Sequence, residues 1–247
     1  MIRERIMPGQ AHDHGFRWRA REPSRIEGLS DAVFGIAITL LVISLEPFRT
    51  FAELRAAMLG LVAFAACFLL LMMVWYEQYL WFRRYGVEDT RTVLLNAMLL
   101  FVVIIYVYPL KFLAGVFSGL LHLTPFELVR GEPMITYEQM PQLMLIFSAG
   151  FVAVYVILLL LYRHAWSLRE SLQLTPAEEV ETRFSVIESA IMVGVGATSI
   201  AIALLGLPAM SGMVYVLIAP LQTIQGFRRG KHRRALIVKP PPGQGAA

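Results

Sequence analysis

One cysteine stands among the 247 residues, Cys67, and it lies inside an apolar run. A disulfide framework and a cysteine-rich metal site are thereby excluded. Charge is scarce as well, at 16% Asp, Glu, Lys and Arg against about 25% in an average soluble domain. The chain contains no H-E-x-x-H, no G-x-S-x-G and no Walker loop, so the common hydrolase and nucleotide-binding chemistries have no foothold and no enzyme is expected. It has no T-V-G-Y-G potassium filter. It also lacks a convincing internal repeat and the midplane polar site of a secondary transporter. No apolar core follows within the first 25 residues, so no cleavable signal peptide is expected.

What is present in quantity is hydrophobicity. It reaches 57% of residues, with a mean hydropathy of +0.61, the composition of a polytopic all-α membrane protein. Six apolar spans are expected at about 28–46, 56–82, 92–112, 143–161, 186–205 and 208–224. They make one membrane domain over 25–227, between a basic segment at 1–24 and a basic, then Pro- and Gly-rich tail at 228–247. Placing both termini in the cytoplasm leaves only Arg49, Arg55, Lys111 and Arg130 outside, of 22 Lys and Arg. That bias fits the positive-inside rule and accounts for the net charge of +4 and the pI near 9.4 without a nucleic-acid partner. The basic tail is placed to touch anionic lipid of the bilayer.

The stretch RIEGLSDAVFGIAITLLVISLEP, Arg25 to Pro47, carries the most information. At about 100° per residue, Leu29, Ala32, Ile36, Leu40, Ile43 and Pro47 fall on one side of the helix, with Thr39 at its margin. Ser30, Asp31, Phe34 and Ile38 point elsewhere. One face is nearly pure aliphatic, and another bears a carboxylate that needs partners inside protein. From the wheel alone, the aliphatic stripe is open to a lipid-facing, a helix-packing or a pore-lining role.

The motif Arg25, three residues, then Leu29-Ser30-Asp31, followed by a small and aliphatic run with a Thr, resembles the first helix of the family of the endosomal and lysosomal potassium channel, transmembrane protein 175. Leu29 stands where that family usually has Phe. The resemblance implies a homotetramer of single-repeat chains, since members with two repeats work as dimers. It implies that the first helix lines a central pore. Ile36, Leu40 and Ile43 then form the constriction and Thr39 offers a hydroxyl beside it, with potassium as the permeant ion, preferred over sodium, and no cofactor. A narrow hydrophobic ring blocks ions by dewetting and favours the cation that sheds water more cheaply. Family members in bacteria and archaea point to the cell membrane, the inner membrane, as its location.

The resemblance extends to a Trp on the second segment and an Asn on the third. Trp75 and Asn96 hold those places, with Pro109 late in the same segment. Asp31, Ser30, Trp75 and Asn96 are therefore expected to hydrogen-bond within one subunit. Glu77, Gln78 and Tyr79 stand where the family has His. Elsewhere, Thr175-Pro176 with Glu178 marks a helix start, and a short helical piece is expected near Phe126. VGVGATSIA within the fifth span reads as small residues for close helix packing. His12 and His14 read as part of a solvated tail, and His122 as an interfacial residue. Two rival readings remain: a proton-conducting or ion-coupled transporter with Asp31 and Glu188 as carriers, and a non-conducting scaffold.

Overall fold

The computed structural model describes residues 12–13, 16–20, 22–42, 50–120, 128–129, 132–133 and 135–237. Its elements are almost all helical. Helix α1 covers Arg25–Val42, α2 Phe51–Tyr85, α3 Thr90–Leu120, α4 Met140–Ser167, α5 Pro176–Leu204, α6 Pro208–Met213 and α7 Ile218–Ile237. Two minimal antiparallel hairpins add β1 (His12–Asp13) with β2 (Phe16–Arg17), and β3 (Leu128–Val129) with β4 (Glu132–Pro133). Short 3-10 turns precede α4 and join α6 to α7.

Local sequence explains the helix starts. Ser24 and Glu27 form a reciprocal cap on α1, each side chain accepting from the other's backbone N–H at 3.1 and 2.9 Å. Thr175 and Glu178 do the same for α5, with Pro176 at the first helical position as expected. Asp89 caps α3 by accepting from the Thr92 N–H at 2.8 Å. Gly206, at φ 73°, ends α5 in a left-handed conformation and Pro208 opens α6.

The helices α4 and α5 make the most extensive pairing, followed by α3 on α4, and α1 lies on α3 and α2. One core joins them, with Phe34, Ala37 and Leu41 of α1 packed among residues of α2, α3 and α4. The small residues of α5 act as expected at Gly196, where a Cβ would overlap Val152 and crowd Phe151 on α4. At Gly194 nothing lies within 4 Å. Gly196→Val should therefore force α4 and α5 apart, costing about 1–3 kcal/mol for overpacking, while Gly194→Ala should leave the thermal midpoint level or slightly higher. Thermal unfolding of the two purified variants checks the contrast. A buried polar knot ties the same region together: Ser199 Oγ lies 2.9 Å from Ser148 Oγ and 2.8 Å from Ser211 Oγ, and Tyr215 donates to Ser148 at 2.8 Å.

Among the described residues, four segments are long and apolar enough to cross a membrane: Phe64–Tyr85, Thr90–Leu113, Tyr137–Ser167 and Pro176–Leu204. They correspond to expected spans two to five. Helix α1 carries Arg25, Glu27 and Asp31 within 18 residues. The last expected span is broken into α6, a 3-10 turn and α7, and α7 runs on to Ile237, so residues 228–237 are helical where a tail was expected. Helix α3 also continues past Pro109 to Leu120. Proline removes one backbone donor, and packing of Val116 in a cluster with Leu143 and Met144 holds the further turns. Residues 43–46 of the first expected span and the piece expected near Phe126 lie outside the described residues.

Candidate pore helix and its intrasubunit network

Helix α1 has two faces of opposite character. Ser30, Phe34, Ala37 and Leu41, at spacings of four and three, are buried against α2 and α3. On the other side, Leu29 and Ile36 are 60% and 54% exposed. Ala32 and Thr39 are exposed as well, and Leu40 is half-buried beside the core. Ile43 lies outside the described residues. The Thr39 hydroxyl donates to the Gly35 carbonyl at 2.7 Å, so its proton is committed inward along the helix while its oxygen remains an outward acceptor.

The structure joins four of the expected network residues in two branches. In the first, Asn96 Nδ2 donates to Ser30 Oγ at 2.9 Å and Ser30 donates to the Ile26 carbonyl at 2.8 Å. Asn96 Oδ1 accepts from Gln78 Nε2, which completes a chain from α2 through α3 to α1. Ser30, Gln78 and Asn96 are each at most 2% exposed, so each depends on the others for its hydrogen bonds. In the second branch, Trp75 Nε1 donates to Asp31 Oδ1 at 2.8 Å. Trp75 in turn stacks on Tyr79, with ring centroids 5.6 Å apart. Arg25 is exposed at the start of α1, outside both branches.

Of the three residues standing where His was expected, Gln78 enters the Ser30 branch, Glu77 accepts from Tyr162 at 2.8 Å, and Tyr79 supports Trp75. Gln78 is the network member that sequence reasoning missed. Its one signal is an amide inside an apolar helix, which demands a partner without naming it. The other candidate carboxylate, Glu188, lines a cavity of about 100 Å³ with Glu77, Tyr155, Ser185 and Gln222. It lies 3.8 Å from the Arg229 guanidinium. The described contacts pair it with α7 and not with Asp31.

At the α2–α3 turn, His164 Nε2 meets Asp89 Oδ2 at 2.6 Å. Burial pushes the Asp89 carboxyl up, but hydrogen bonds from Thr92 and His164 outweigh it and hold the group below its ordinary value. Among the described residues, no group of three or more His, Cys, Asp or Glu could hold a metal ion.

The arrangement is a helix fixed by polar bonds on one flank, buried on another, and aliphatic where it faces out. Comparison with known proteins agrees with its sequence motif. The sequence model of the family described as "Endosomal/lysosomal potassium channel TMEM175" matches residues 25–106. A protein of Marivirga tractuosa named "Potassium channel" is 35% identical over 233 residues, covering 90% of this chain and 94% of its own. A crystal structure of the potassium channel MtTMEM175, as a point variant in complex with a nanobody fusion protein, superposes with a TM-score of 0.75 at 34% identity. It covers 92% of this chain and 99% of that one.

Proposed function

The chain belongs to the endosomal/lysosomal potassium channel family TMEM175, and on that premise we propose that it is a potassium-selective cation channel whose first helix lines the pore of a homotetramer. The observation that carries this reading is the outward face of α1. Leu29, Ala32, Ile36 and Thr39 are turned away from the subunit's own core, while Ser30 and Asn96 hold the opposite side. Four such faces around an axis make aliphatic rings at Ile36, Leu40 and Ile43. A ring of this kind strips water from an entering ion, and potassium loses its shell at lower cost than sodium. Thr39, with its proton bound to Gly35, presents an oxygen that replaces part of the lost hydration. In this reading six spans cross the cell membrane with both ends in the cytoplasm, α1 and the broken α6–α7 segment being the first and last.

The same exposed face on a lipid-facing helix would be indifferent to aqueous reagents. Modification of Ile36→Cys by a charged methanethiosulfonate, on a Cys67→Ser background, should block potassium flux. The same treatment of Leu61→Cys, on α2, should leave it intact. Unimpaired flux in modified Ile36→Cys protein would place the face against lipid.

A further inference from the structure

The residues just before α1 are rich in arginine, yet they are packed. Phe16, Arg19 and Ala20 are buried, and Arg19 is 8% exposed. Both Arg17 and Arg19 converge on Glu178 at the start of α5. Its carboxylate, 1% exposed, accepts from Arg19 Nη2 at 2.8 Å, Arg17 Nε at 3.1 Å and the Arg17 N–H at 2.9 Å. The same carboxylate also completes the α5 cap at Thr175. Arg19 reaches further, donating to the carbonyls of Leu172 in the α4–α5 turn and Arg84 at the end of α2, both at 3.2 Å. Its own N–H donates to the Arg83 carbonyl at 3.0 Å. Phe16 sets its ring edge-on to Tyr85 at 5.5 Å, with the Arg19 and Arg84 guanidinium groups over its face. Gly86, at φ 59°, turns the chain after α2 in a left-handed conformation beside residues 19 and 20.

We propose that residues 16–20 are a strap that fixes where α1 enters the helix bundle, and that releasing it raises the channel's open probability without changing its ion preference. The second half rests on the channel reading. The strap binds the end of α2, the α4–α5 turn and the start of α5, and four residues later Ser24 caps α1. A link of that length spans at most roughly 14 Å, so the first turn of α1 is held within that radius of a fixed point. The Arg19 guanidinium and the Glu178 carboxylate, both withdrawn from water, gain little net stability over apolar packing, and Arg17 remains partly exposed beside them. What their directed bonds supply is position. A pore closed by aliphatic rings needs its helices held close at the axis, and a freed entry lets them part and the constriction wet.

Two variants separate strap from helix. Arg17→Gln with Arg19→Gln detaches the strap. A Gly-Gly-Ser insertion between Glu22 and Pro23 keeps every strap contact and slackens only the link, so it remains informative if the double variant does not fold. Spin labels at Leu29→Cys and Glu170→Cys, on a Cys67→Ser background, report the position of α1. Planar bilayers report gating. The expected result in both variants is a broadened label distance, a reversal potential equal to wild type, and an open probability up about fivefold, the low end of coupling between linked sites. An insertion variant with the wild-type distance distribution overturns the strap. A broadened distribution with unchanged open probability overturns its part in gating. If the wild type passes no potassium, the channel reading fails, and the label distance still decides whether the strap positions α1.

Discussion

Replacing Ile36 by asparagine should raise potassium conductance about tenfold and reduce the preference for potassium over sodium that we propose. A tenfold rate change needs about 1.4 kcal/mol off the barrier. In the proposed tetramer, four isoleucine side chains, each worth about 1.5–3 kcal/mol between water and an apolar setting, would leave ample room for it once amides hold water in the ring. Ile36 is the position to change because its side chain is directed away from its own subunit, so the substitution costs the fold little. Phe34→Asn, two residues away on the buried face, should instead lower the yield of folded protein. Single-channel conductance and reversal potential under a potassium–sodium gradient check the first, and size-exclusion chromatography checks the second. A scaffold that conducts nothing would show no flux with either side chain at Ile36.

The second large effect is on the network. Asn96→Ala strips Ser30 of its donor and leaves the Gln78 amide without its partner, both in buried surroundings. An unsatisfied buried polar group costs about 1–3 kcal/mol, so the thermal midpoint should fall by several degrees. Asp31→Ala removes the acceptor of Trp75 Nε1. It should harm assembly and gating more than permeation, since the carboxylate lies off the aliphatic stripe. Asp31→Asn keeps a carbonyl oxygen for Trp75 and should restore most of the loss. A transporter that carries protons on Asp31 gives the reverse pattern, because asparagine abolishes transport while assembly survives. Thermal stability measured beside flux for Asp31→Ala and Asp31→Asn distinguishes them.

These two faces of α1 were legible because helical periodicity by itself separates an aliphatic stripe from polar residues. The α5 start was legible for a similar reason, since Thr175, Pro176 and Glu178 settle a cap among themselves. The Ser24–Glu27 box, although written in the sequence as S-x-x-E, was not among the expected helix starts. What was not legible depended on residues far apart in the chain. The Arg17 N–H bonds Glu178, 161 residues away, so an arginine-rich segment that read as a solvated tail is packed over residues 16–20. Gln78 could be seen to need a partner, but its pairing with Asn96 depends on how α2 is rotated against α3. The extension of α3 beyond Pro109 likewise follows from packing, because a proline costs one backbone bond and does not by itself end a helix.

The most direct measurement is cation entry into proteoliposomes holding the purified wild-type protein, potassium against sodium under equal gradients. Potassium entering faster than sodium is the predicted result. Equal entry of the two ions, or entry of neither, would contradict a potassium-selective pore lined by α1.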